Sequence, residues 1–213
     1  YGALGRLYWL KYGEPDKAEL YFRRIKGTTD SFEALMVEFY PEFYARRGNW
    51  RRLEQFLMDA AGNPEASDEL IPLKRDLAHR AMAAEKWDKA ISFWSAVRDL
   101  SEGNDDEAEE ALIELYGRVG KWHSLVDLLT TKAKDTDAGS SEERIEWLME
   151  VVSIYKEKIK SDTKVNNTYQ AILAIDPGHH EAIDALVQQF ESMKRWPDLV
   201  RTLQTKIEHT EDE

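Results

Sequence analysis

The chain has 213 residues, of which 42% are apolar and 33% charged, with a formal charge of −12. Such an apolar share can build a sizeable core, while only 11 Gly and 6 Pro argue against a turn-rich β protein. The acidic balance argues against nucleic acid or an anionic membrane surface as the main partner, because phosphates are met with basic faces. The absence of Cys excludes disulfides, Cys-ligated zinc and thiol catalysis.

The charge is uneven along the chain. Residues 1–60 carry a net +1 and residues 61–213 a net −13. No apolar run approaches the roughly 18 residues that would span a membrane. The chain starts at Tyr1 with a helical apolar spacing (Leu4, Leu7, Tyr8, Leu10), so it reads as a piece of a longer protein. A cytoplasmic location is expected, with any targeting signal lying outside the fragment.

In chain order the same unit recurs. It is found at Gly13-Glu14-Pro15-Asp16-Lys17-Ala18, Gly48-Asn49-Trp50-Arg51-Arg52-Leu53, and Glu85-Lys86-Trp87-Asp88-Lys89-Ala90. It returns at Gly120-Lys121-Trp122-His123-Ser124-Leu125 and at Lys194-Arg195-Trp196-Pro197-Asp198-Leu199. The tryptophans lie 37, 35 and 74 residues apart. The last gap is a double period, and a degenerate copy fills it near Ser161-Asp162-Thr163-Lys164-Val165.

Each unit has two segments with apolar residues every three or four positions, which is a helical period. Examples are Leu73, Leu77, Ala81 before the break and Trp87, Ala90, Ile91, Trp94, Val97 after it. Stop and start signals separate the units: Gly62-Asn63-Pro64, Ser101 to Asp105, Ala138 to Ser141, and Asp176-Pro177-Gly178. Ser141 with Arg144 does not complete a capping box, whereas Asp30 with Glu33 fits one. The recurring Trp is expected to cover the seam between one hairpin and the next; burying such a ring contributes about 3 kcal/mol. The cluster Phe39, Tyr40, Phe43, Tyr44 around Pro41 reads as a bent core helix, with an exposed aromatic patch as the competing reading.

These features resemble the tetratricopeptide repeat family. Leu77-Ala78 matches the pair on that family's first helix, and Ala18 and Ala90 match the small residue of its second. The stretch from Ala171 through Asp176-Pro177-Gly178 to Ala182 is similar to its repeat junction. Other α-hairpin repeats, the HAT type among them, are close competitors. The resemblance implies an all-α, right-handed solenoid of about six antiparallel helical hairpins, forming a single repeat domain over residues 1–213.

The resemblance also implies that the first helix of each unit lines a groove. Placed in that frame, Leu35, Glu38, Glu42 and Arg46 face inward from the second unit. Arg75, His79 and Met82 do so from the third. Glu107, Glu110, Glu114 and Arg118 follow from the fourth, and Glu181, Asp184, Gln188 and Glu191 from the sixth. The fifth unit would contribute Trp147, Glu150, Ile154 and Glu157. The expected binding residues are therefore Arg46, Arg75, His79, Glu107, Glu110, Glu114, Glu181, Asp184 and Glu191. A basic protein or peptide segment would suit the acidic part; a merely solvated face is the competing reading. Chaperone-binding members of the family hold a carboxylate with Lys/Arg and Asn on their first helices. None of Asn49, Asn63, Asn104, Asn166 and Asn167 falls on such a helix, so that clamp is not expected.

Catalytic patterns are absent. His179-His180-Glu181 lacks metalloprotease spacing, and no phosphate-cradling Gly loop or nucleophile elbow occurs. No metal, cofactor or enzymatic activity is expected. The reading is a protein–protein interaction scaffold, with a regulatory or substrate-recruiting arm of a larger enzyme, or a self-assembly module, as alternatives.

Overall fold

The computed structural model describes residues 1–25, 33–62 and 67–210. Twelve α-helices follow one another, with no strand among the described residues. They are α1 (Gly2–Leu10), α2 (Pro15–Phe22), α3 (Glu33–Arg46), α4 (Trp50–Ala60), α5 (Ser67–Ala83) and α6 (Trp87–Leu100). Then come α7 (Asp106–Val119), α8 (Trp122–Lys134), α9 (Ser141–Ile154), α10 (Asp162–Ile175), α11 (His180–Ser192) and α12 (Trp196–Thr210). A π turn, Tyr155–Ile159, continues α9. The helices form hairpins in succession, and the fold is all-α. Two compact units divide the chain, Tyr1–Glu109 and Glu110–Glu213, with the division falling inside α7.

One turn chemistry recurs inside the hairpins. The residue two positions before each second helix has a left-handed backbone: Gly13, Gly48, Glu85, Gly120, Lys160 and Lys194. In four of these turns the next N–H reaches back five residues: Asn49 to the Tyr44 carbonyl, Lys86 to Ala81, Lys121 to Tyr116 and Arg195 to Phe190, at 2.8–2.9 Å. This is the Schellman closure, which satisfies a carbonyl left open at a helix end. Glu85 and Lys194 adopt it without glycine, a conformation disfavoured for side chains with a Cβ. The Trp that follows opens the second helix at Trp50, Trp87, Trp122 and Trp196, as the sequence period implies.

In the first unit, Ala18, Phe22, Met36, Phe39 and Tyr40 form a core against which Trp9, Phe43, Tyr44 and Phe56 pack. The aromatic cluster around Pro41 is thus core material. Pro41 lies inside α3, and the rings around it meet, stacked, tilted or edge-on, at centroid distances of 4.7–5.4 Å, within the range where ring pairs attract. Gly5 lets α1 approach α2 closely: a Cβ there would meet the Phe22 ring at 2.6 Å. In the hairpin α5–α6, Leu77, Ala78, Ala81, Ala90 and Val97 are fully buried, the small residues letting the helices close up.

In the second unit, one cluster joins Ala133 of α8, Leu148 and Val152 of α9, Val165, Tyr169 and Ile172 of α10, and Ala182, Leu186 and Phe190 of α11. Another joins Leu125, Val126 and Leu129 of α8 to Val151 and Ile154 of α9, with Ile113 and Tyr116 of α7 packed against it. Helix α9 opens with a full capping box of Ser140 and Glu143. The box therefore sits one residue before the Ser141 and Arg144 weighed in the sequence. Ser140 accepts from the Glu143 N–H, and Glu143 accepts from the Ser140 N–H, which holds the Glu143 carboxyl below its ordinary range. The Asp30–Glu33 box and the Asn63-Pro64 stop lie outside the described residues.

The buried Tyr40 supplies a pH expectation. Burial, then the nearby Glu19 carboxylate and Tyr44, push its hydroxyl well above the usual tyrosine range, against the opposing charge of Arg23. A group whose folded pKa is raised contributes its full stability below the unfolded pKa, about 10. That contribution is lost as pH rises through the folded value, because the unfolded chain ionises first. Tyr40→Phe should therefore move the midpoint of base-induced unfolding to higher pH, followed by circular dichroism. An unchanged midpoint would mean that the hydroxyl stays in contact with water.

Candidate functional site

The first helices α3, α5, α7 and α11 carry the residues singled out from the sequence, and the structure groups them unequally. Three of them meet in the first unit. Arg75 and His79, one helical turn apart on α5, both reach Glu107 at the start of α7, at 2.8 and 3.0 Å. Arg75 also donates to Asp105 at 2.5 Å. Asp105 has a second role: its other oxygen accepts the Ala108 N–H at 2.9 Å and so ties down the first turn of α7. One side chain thus fixes both the guanidinium and the helix that brings Glu107 to it. The sequence pattern leaves Asp105 in the break between units. The signal for it is its place three residues before a free N–H at a helix start.

The His79 ring stands edge-on to Trp94, with centroids 5.0 Å apart. Trp94 in turn donates to the Met82 sulfur at 3.2 Å. Met82 is therefore turned to the core as well as to the helix face. The Arg75 guanidinium faces two carboxylates, Asp105 and Glu107, although its buried Nε makes no well-aligned hydrogen bond.

Arg46 stands apart from it. It pairs with Glu42 one turn earlier at 2.6 Å and lines a cleft of about 140 Å³ with Trp9, Phe39 and Phe43. Leu35 lies outside the described side chains.

In the second unit the acidic residues lie exposed along their helices. Glu110 and Glu114 are spaced four apart, which puts them along one face of α7. Glu114 pairs with Arg118 at 3.0 Å, and Asp184 with Lys206 of α12 at 2.5 Å. Glu110, Glu181 and Glu191 form no ion pair among the described residues. The fifth-unit residues divide between core and surface. Ile154 is core, and Trp147 packs against both clusters of the unit, while Glu150 and Glu157 are exposed.

The His179-His180-Glu181 run serves the backbone. His179 caps α11, its Nδ1 accepting from the Ala182 N–H at 3.3 Å. Among the described residues no group of three potential metal ligands converges. Asn166, the acceptor of a glycosylation pattern, is buried in α10. No helix among the described residues is long and apolar enough to cross a membrane.

These features define an all-α protein of repeated helical hairpins with charged first-helix faces. No known family pattern and no curated protein matches the chain. Among solved structures it is similar to one titled "Crystal structure of MamA", at 15% identity and a TM-score of 0.37, over 81% of this chain and 95% of that one.

Proposed function

We propose that this chain is a protein–protein interaction scaffold that holds a basic protein or peptide segment along the first helices of its hairpins. The supporting observation is the set of exposed carboxylates Glu110, Glu181 and Glu191, which have no counter-ion among the described residues. A carboxylate already paired, as Glu114 and Asp184 are, gives up one partner to gain another. An unpaired one on a rigid helix gains a cation without that exchange, and a pre-formed surface limits the ordering cost of binding.

Calorimetric titration with a panel of Lys/Arg-rich helical peptides tests the reading. Affinity should fall as salt is raised, because exposed charge pairs are screened. The triple change Glu110→Lys, Glu181→Lys, Glu191→Lys should weaken binding by about tenfold or more, equivalent to roughly 1.4 kcal/mol. Binding that ignores both salt and these changes, or no binding at all, would leave the acidic face as solvated surface.

A further inference from the structure

Within the second unit the charges sort by end. Successive helices pack antiparallel, so the turns α7–α8, α9–α10 and α11–α12 lie at one end and the turns between hairpins at the other. The hairpin turns collect cations, although the unit as a whole is acidic. Residues 118–123 carry Arg118 and Lys121 and no carboxylate, and residues 156–164 carry four Lys against Glu157 and Asp162. At the other end, residues 132–144 carry four carboxylates against three cations, and residues 176–181 carry two against none. Lys121, Lys156, Lys158, Lys160, Lys164 and Lys194 are all exposed. Rings hold two of them in place. Lys158 Nζ stands 5.5 Å from the centre of the Trp122 ring, which joins the first two turns. Lys156 stands 5.0 Å from the centre of the Tyr169 ring and donates to its hydroxyl at 2.7 Å. A cation held over a ring keeps its charge and is partly ordered before a partner arrives.

Helix stability does not account for these lysines. Lys121 is the N-cap of α8 and makes no capping hydrogen bond, and Lys164 lies in the first turn of α10. A helix N-terminus carries partial positive charge, so it favours Ser, Asp or Asn at the cap and acids just after it. Lys160 and Lys194 take the left-handed backbone that Gly120 takes in the first turn of the unit. Four local preferences are thus broken at one end of one unit, each time by a lysine. Departures from local preference that agree in their chemistry mark positions kept for function.

We infer that this lysine end binds a short acidic segment of another protein. The chain then offers two surfaces of opposite sign: carboxylates along the first helices and ammonium groups across the hairpin turns. Carboxylates limit the size of the anion. Glu157 and Asp162 lie inside the patch, and Glu191 stands in the last turn of α11 beside it. A duplex or a bilayer spreads its phosphates widely and sets some of them against these carboxylates. A few Asp or Glu side chains on one peptide meet the lysines alone.

Fluorescence anisotropy on the full chain tests this, with a short labelled peptide of Asp, Glu and Ser, a DNA duplex and phosphatidylserine vesicles as probes. The peptide should bind more tightly than the duplex or the vesicles, and less tightly as salt is raised. Lys121→Asp, Lys160→Gly and Lys164→Glu each restore a local preference, so each should raise the thermal midpoint. Each should also weaken peptide binding, and the three together by about tenfold or more. Lysines kept for the fold alone would not move the two readouts in those directions. No peptide binding, or binding unmoved by the three changes, overturns the inference. Tighter binding of the duplex or the vesicles overturns it in favour of a nucleic acid or a membrane. Should a variant lose helicity by circular dichroism, Lys158→Met repeats the test, since it keeps a side chain on Trp122 and removes the charge. Basic peptides should still bind the lysine variants, and the acidic peptide should still bind a Glu110→Gln, Glu181→Gln, Glu191→Gln chain, so either reading can fail alone.

Discussion

Replacing Trp94 with Ala should lower the stability of the first unit by about 3–5 kcal/mol, the usual range for emptying a large aromatic site in a core. The ring is only 1% exposed and sits in the hairpin that closes around Leu77, Ala78 and Ala81. Its removal also takes away the N–H that the Met82 sulfur accepts and the edge against which His79 stands. Denaturant titration reads the effect. Trp94→Phe separates its parts: it keeps most of the buried area while losing the indole donor, so its cost should be much smaller. If both changes cost the same, the Met82 contact and not the filled volume holds the site. The surface pairs of His79 and Arg75 with Glu107 are about one-third to one-half exposed, so their removal should cost no more than about 1 kcal/mol.

Trp94 also shows what the sequence can and cannot disclose. Its place in an apolar helical period is enough to mark it as core. The hairpin starts are legible for a related reason: Trp50, Trp87, Trp122 and Trp196 follow a break of fixed length, and that break is one turn geometry used repeatedly. The geometry itself is hidden where Glu85 and Lys194 take the left-handed backbone, since nothing in those residue types announces it. In the fifth hairpin Trp147 and Ile154 pack in the core while Glu150 and Glu157 are exposed, since spacing alone does not say which side of α9 its neighbours cover. The first-helix charges are legible as a set of positions. Their pairing is not: that Glu107 is held by Arg75 and His79, while Glu110 meets no cation among the described residues, depends on which neighbouring helix lies within reach. The seam role expected of every Trp holds for Trp50, which is buried, and for Trp122, which packs against α9's cluster. Trp196, on the last helix, is exposed.

That contrast yields the most discriminating stability measurement. Leu129 of α8 and Leu203 of α12 stand at the same position of the same pattern, seven residues after the Trp that opens each helix. Helix propensity, neighbours in sequence and the residue removed are therefore closely matched, and only the surroundings differ. Leu129→Ala should cost about 2–5 kcal/mol, because the side chain lies between α8 and α9 with Val151 and Ile154 and leaves a cavity when shortened. Leu203→Ala should stay within about 0.5 kcal/mol of the unaltered protein. Equal costs for the two variants would mean that the α12 stripe is already covered from within the chain, because a side chain stabilises a helix only through the neighbours that exclude water from it.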